Sequence, residues 1–246
     1  MKPLYSQIVS GFLLCLTVAL PVRAADNAPT VDSILDKFVV ASGGKAAMEK
    51  IKSRNVKGDL DLFGSASEWV MYAKAPNKQY AEFNHATMGM LADGFDGTVA
   101  WSKNQGGVRV KDGDELAKTK RDADFYRELY LKSLHPGLAY KGTDKVDGQD
   151  VHVLESKPTP SSKERFSFST NSGLLVRQES ELEGPQGKVN VNVRLGDFRV
   201  VDGIQYPYDL KFKVGAGGQE FDFTIKVKEV KHNVTIDDAK FAKPSE

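Results

Sequence analysis

The feature that constrains this chain most is a run of alternation between Lys188 and Lys228. Val189, Val191, Val193 and Leu195 alternate with Lys188, Asn190, Asn192 and Arg194, and Tyr208, Leu210, Phe212 and Val214 with Asp209, Lys211 and Lys213. Phe221, Phe223, Ile225 and Val227 repeat the pattern against Asp222, Thr224, Lys226 and Lys228. Successive side chains on a strand point to opposite faces, so each run has one apolar and one polar face. Three such strands joined by short loops predict an antiparallel meander with one buried face. The functional question is what covers that face.

The rest of the chain extends the pattern. Strands are expected at 55–63, 68–74 and 78–85, then at 151–155, 165–169 and 174–183, with 84–93 as a short flexible stretch. Asp-Gly pairs at Asp93, Asp96, Asp112, Asp147 and Asp202 suit the positive φ of tight hairpin turns and are expected to be corners. The apolar phase slips at Gly196, from odd Leu195 to even Phe198, which predicts a bulge. Two helical segments interrupt the strands. Thr30 can cap a helix striped by Val31, Ile34, Leu35 and Phe38 and stopped by Gly43-Gly44, with a short second helix expected at 45–52 after it. A charged helix is expected from Asp114 to Leu134, before His135-Pro136-Gly137 breaks it. Helices laid flat on the apolar face would make a two-layer core; a partial lid over a curved sheet would leave an apolar cavity. Periodicity leaves both arrangements open.

Residues 1–24 are expected to be a secretory signal peptide: Lys2, the apolar run Ile8–Leu20, then Val22-Arg23-Ala24 ahead of Ala25. The run falls short of the roughly 20 residues that span a bilayer, so the mature chain is expected to be soluble and not membrane-spanning. Leu14 and Leu16 flank the single Cys15, which argues against a lipid anchor. Cleavage removes that cysteine and two basic residues, leaving 32 basic residues against 33 acidic ones. So neutral a balance predicts no sequence-independent grip on nucleic acid. Residues 25–29 are expected to be a flexible tail and 30–246 a single domain, monomeric and periplasmic.

Motifs for chemistry do not assemble. His85, His135, His152 and His232 are scattered without metal-ligand spacing and read as surface or strand-edge residues. Gly43-Gly44-Lys45 lacks the first Gly and the Ser or Thr of a phosphate loop. There is no Gly-x-Ser-x-Gly elbow. No catalytic residue, metal or cofactor is therefore assigned. Lys103, Arg109, Lys111, Lys118, Lys120 and Arg121 cluster around the charged helix, as a solvated face or as a rim that meets lipid headgroups.

Several phrases together carry a family resemblance: Gly43-Gly44-Lys45 after the first helix; Gly94-Phe95-Asp96-Gly97 before Ala100-Trp101; Asp124-Phe125-Tyr126-Arg127-Glu128-Leu129; Gly173-Leu174-Leu175-Val176-Arg177; and Asp197-Phe198-Arg199 leading to Tyr206-Pro207. The chain resembles the outer-membrane lipoprotein-sorting (LolA/LolB-like) superfamily over roughly Val31 to Ala242, in a secreted bacterial branch. The resemblance implies a mainly β fold with a helical lid: a curved antiparallel sheet of about eleven strands forming an incomplete, half-open β-barrel around an apolar cavity. It implies a non-catalytic periplasmic carrier or sensor of a hydrophobic ligand, a lipid or the acyl chains of a lipoprotein. The alternative is a module that docks on a cell-envelope protein partner without a small ligand. Large aromatic and methionine side chains repack around varied chains, so the candidate ligand contacts are Trp69, Met71, Met88, Met90, Leu91, Phe95, Trp101, Phe212 and Phe223.

Overall fold

The first strand of the chain and the last lie side by side in the middle of one sheet, and that pairing arranges everything else. A computed structural model describes residues 28–184 and 187–245. The expected leader with Cys15, most of the tail at 25–29 and the turn at Pro185-Gln186 lie outside the described residues. From the middle to one rim run β1 (Ser53–Leu62), β2 (Ser65–Lys74), β3 (Lys78–His85), β4 (Gly89–Phe95), β5 (Ala100–Asn104) and β6 (Gly107–Val110). From the other rim back run β7 (Ala139–Val146), β8 (Gln149–Ser156), β9 (Ser162–Ser169) and β10 (Leu175–Gly184). β11 (Gly187–Val201), β12 (Ile204–Ala216) and β13 (Gln219–His232) complete it, and β13 pairs with β1. Among the described residues the result is one antiparallel sheet of 13 strands that does not close, with β6 and β7 as its rims. It has more strands than the roughly eleven the resemblance implied, and the expected flexible stretch at 84–93 contains most of β4.

Among the described residues four α-helices accompany the sheet: α1 (Val31–Ala41), α2 (Lys45–Met48), α3 (Gly113–Asp122) and α4 (Arg127–Leu134). Thr30 caps α1, its hydroxyl accepting from the Ser33 N–H at 3.1 Å. Gly43, at φ 119°, ends it against the β11–β12 turn; a Cβ there would stand 2.2 Å from the Gly203 carbonyl oxygen. The single long helix expected over 114–134 is two. The Phe125 N–H leaves the helical ladder for the Pro76 carbonyl at 2.9 Å, and Asp124 accepts from the Tyr126 N–H, so the chain turns between α3 and α4.

The turns correct two other expectations. Asp147-Gly148 and Asp202-Gly203 are two-residue hairpin corners with positive φ at both positions. Asp93-Gly94 lies inside β4 instead, where Gly94 gives room to the Trp101 indole, which a Cβ would approach to 2.3 Å. No bulge interrupts β11: the register runs unbroken from Gly196 opposite Asp209 to Phe198 opposite Pro207. Asp197 takes φ 50° between them, and the apolar phase changes at that residue.

Cross-strand partners share a face. Leu154, Phe166, Gln178, Val193, Phe212 and Phe223 therefore form one row across β8 to β13 on what is here called the inner face. At the β7–β9 end, α1 and α4 press directly on this face. Ile34, Phe38 and Leu131 pack on Leu154, Phe166 and Phe168, with the Phe38 and Phe168 rings 5.1 Å apart. The outer face near the other rim is covered by the C-terminal segment, where Ile236 and Phe241 pack on Tyr80 and Trp101.

Candidate functional site

Over the central strands the helices do not reach the sheet, and a cavity of about 500 Å³ remains between them. Sites for small ligands span roughly 300–1,000 Å³. The floor is the alternating pattern: Val191, Val193 and Leu195 from β11, Leu210 and Phe212 from β12, Ile225 and Val227 from β13. The roof comes from Phe38, Met48, Phe125, Tyr126 and Leu131. Val191, Val193, Leu195, Leu210 and Phe212 are each only half-buried although they lie mid-sheet, because no side chain from above fills the space over them.

Three of the candidate contacts named from sequence, Trp69, Met71 and Phe212, lie on this wall. The others are placed elsewhere. Phe223 stacks on Phe212 with ring centroids 4.4 Å apart and packs with the β1–β13 core, and Met88 packs against the same cluster. Leu91 shares the inner face, opposite Phe83, without joining the wall. Phe95 is on the inner face too, but it is buried between its β5 neighbour Ala100 and Leu116 and Ala123 of the lid. Trp101 is on the outer face; the register takes it through Gly94 to Tyr80, and its indole N–H donates to the Phe241 carbonyl at 3.0 Å. Met90 is exposed beside it.

Two anchors hold the lid. On the β9 side, Glu164 has no exposed surface and accepts from Arg121 of α3 at 2.6 Å, while its other oxygen lies 3.1 Å from His135 Nε2 after α4. Burial alone would raise this carboxyl. The His135 hydrogen bond, the Lys118 and His135 charges and the Arg121 hydrogen bond outweigh it and hold Glu164 at about 2. On the β1 side, the turn between α3 and α4 inserts Phe125 among Met48, Ile51 and Ile204, and the Tyr126 hydroxyl donates to the Ile51 carbonyl at 2.9 Å. The basic cluster read as a solvated face is thus partly inward: Arg121 is a lid anchor, and Lys118 pairs with Asp122 at 2.6 Å. His85 and His135 are buried rather than at the surface.

Polar groups also enter the wall. Gln178, Ser180 and Gln205 line it, as does Arg54 of β1. The Arg54 guanidinium lies 5.1 Å from the Phe125 ring centroid and 4.7 Å from that of Tyr206. Burial pushes its pKa down to about 10, Glu128 opposing the shift and Arg127 adding to it, which leaves it charged at neutral pH. Sequence reading missed Arg54 and Glu164, yet both carry a signal. Arg54 is in phase with Val56, Leu60 and Leu62, and Glu164 with Phe166 and Phe168. A charge in the apolar phase of a strand marks a polar group turned inward.

The architecture has solved counterparts. A LolA superfamily protein from Nitrosomonas europaea superposes with a TM-score of 0.54 at 14% identity, over 88% of this chain and 99% of that one. This is the LolA-type fold. A DUF1329 family protein from Desulfovibrio piger gives a TM-score of 0.52 at 15% identity, covering 87% of this chain and 98% of that one. An outer membrane lipoprotein-sorting protein domain from Vibrio parahaemolyticus gives 0.52 at 9% identity, covering 85% and 97%. No family model and no curated protein matches the sequence. Within the LolA-type fold the cavity between sheet and helices is the open interior of the incomplete barrel. Among the described residues no helix is long and apolar enough to cross a membrane.

Proposed function

We propose that this chain is a non-catalytic carrier of a hydrophobic ligand, a lipid or the acyl chains of a lipoprotein, acting in the periplasm after removal of residues 1–24. The observation that carries the reading is the unfilled apolar space of about 500 Å³ under the lid. Side chains that could have met across it would have contributed about 1.5–3 kcal/mol apiece by burial, so an interior left open forgoes stability that a purely structural domain would keep. Trp69, Met71 and Phe212 are the wall residues proposed to touch the ligand, with Val193, Leu210 and Ile225 between them. A carrier of this kind exchanges its cargo with a cell-envelope partner and works as a monomer.

The test is native mass spectrometry of the mature protein purified from a periplasmic extract without detergent, followed by solvent extraction. A discrete bound lipid or acylated peptide is the expected result. A protein that is empty on isolation, and still empty after incubation with lipids and acylated peptides, overturns the proposal.

A further inference from the structure

Among the described residues the cavity wall holds one cation, Arg54, that no carboxylate contacts; Glu128, which lines the same cavity, acts on it only from a distance. Lys118 and Arg121 also line the cavity, but Lys118 is paired with Asp122 and Arg121 with Glu164, both at 2.6 Å. Arg127 has its Nε 3.5 Å from Glu128. Arg54 has a buried Nε without a hydrogen-bond partner, as Arg121 does, but it stands apart in that among the described residues no carboxylate lies within 4.0 Å of its guanidinium. The rings of Phe125 and Tyr206 attract the charge, but they offer no acceptor for its N–H donors. The Tyr206 hydroxyl, on one of these rings, is also buried without a partner, as is the Gln205 carboxamide oxygen elsewhere on the wall. Unpaired charge at an apolar wall is costly, and a guanidinium is shaped to bind carboxylate or phosphate oxygens through paired N–H groups. The apolar floor at Leu210, Phe212 and Ile225 belongs to the same cavity.

We infer that the ligand is an acyl amphiphile with an anionic head, and that Arg54, with the Tyr206 hydroxyl as a second donor, receives that head while the chain lies along β11 to β13. This rests on the carrier reading above and adds the charge of the cargo to it. The position also faces the lid: Phe125, one of the rings against Arg54, belongs to the turn that anchors α3 and α4.

The experiment is displacement of an apolar fluorescent dye from the mature protein by hexadecanol, palmitate and hexadecyl phosphate, which share a chain and differ in the head. At least one anionic amphiphile is expected to displace the dye at a concentration at least tenfold lower than hexadecanol, equivalent to about 1.4 kcal/mol. Which of the two wins assigns the head as carboxylate or phosphate, and acetate or inorganic phosphate alone is expected to compete weakly. Arg54→Met is expected to erase the preference while leaving hexadecanol affinity in place, and Arg54→Lys to keep part of it. Equal displacement by all three amphiphiles, or a preference that survives Arg54→Met, overturns the inference and leaves the carrier reading standing. If Arg54→Met does not fold, the wild-type preference and its retention in Arg54→Lys decide. Failure of the dye and of every amphiphile to bind removes the carrier reading as well.

Discussion

Two parts of the same sheet face behave differently. At the β7–β9 end, Leu154 and Phe168 have no exposed surface because Phe38 and Leu131 rest on them. A few strands away, Val193 and Phe212 stand in the same alternation and in register with that end, yet they are only half-buried and look into open space. Nothing in the strands themselves distinguishes the two. The difference is made by the partner layer, whose helices come down at one end, where Glu164 ties them to β9, and stand off the sheet over the middle. An apolar strand face therefore does not determine whether a core or a pocket forms; the height of the opposing layer does.

The sharpest way to break this comparison is to truncate one ring in each part and measure stability by chemical denaturation. Phe168→Ala is expected to cost about 3–5 kcal/mol, as for large-to-small changes in a packed core. Phe212→Ala should cost no more than about 1.5 kcal/mol, since its ring is already half out of contact. Equal losses would mean that the middle of the sheet is as solid as its end.

Next in size is the anchor that ties the roof to β9. Glu164→Gln leaves Arg121 without its buried counter-charge, and a loss of about 3 kcal/mol is expected. The same residue sets an acid response. Its carboxyl is at about 2 in the folded protein against an ordinary 4.5, so its contribution is fully present above pH 4.5 and disappears as the pH falls towards 2. Thermal melting as a function of pH should show wild type losing stability across that window and Glu164→Gln losing less. Parallel curves for the two proteins would assign the acid response to other groups.

Filling the open part should do less harm than emptying the solid one. Val193→Trp is expected to change stability by about 1 kcal/mol or less, whereas Leu154→Trp, with no space to enter, should cost more than about 3 kcal/mol. Apolar-dye binding should fall sharply in Val193→Trp, and unchanged binding would place the ligand elsewhere. The smallest effect is expected at Lys211, which is exposed on the outer face: Lys211→Glu should stay within about 0.5 kcal/mol. A larger loss would show that the two faces of β12 have been exchanged.

How much of this could be read from sequence depends on how many faces of a strand are covered. In β11 to β13 one face is wet, so period-2 alternation survives and names Val191, Val193, Leu195, Leu210, Phe212 and Ile225 as inward. Trp101 shows the opposite case. Both faces of β5 are covered, the outer one by Phe241 from far along the chain, so an aromatic residue there carries no information about which side it takes. The break between α3 and α4 was hidden because it is made by a tertiary hydrogen bond from Phe125 to Pro76. The polar members of the site, Arg54 and Glu164, were legible as charges in the wrong phase. Their partners were not, because Arg121, His135, Phe125 and Tyr206 are brought to them only by the fold.

The route of the chain between β6 and β7 has a mechanical consequence. Those two strands are the opposite rims of the sheet, and the segment that joins them contains α3 and α4. A flap hinged at one rim could swing clear without disturbing the other. This connection is a strap fastened at both sides, like a bowstring across a bow, so any movement that raised it would draw on both rims at once. In the proposed carrier, loading would change how tightly the sheet is bent, and the terminal strands β6 and β7, each hydrogen-bonded on one side only, are where amide exchange should register it first.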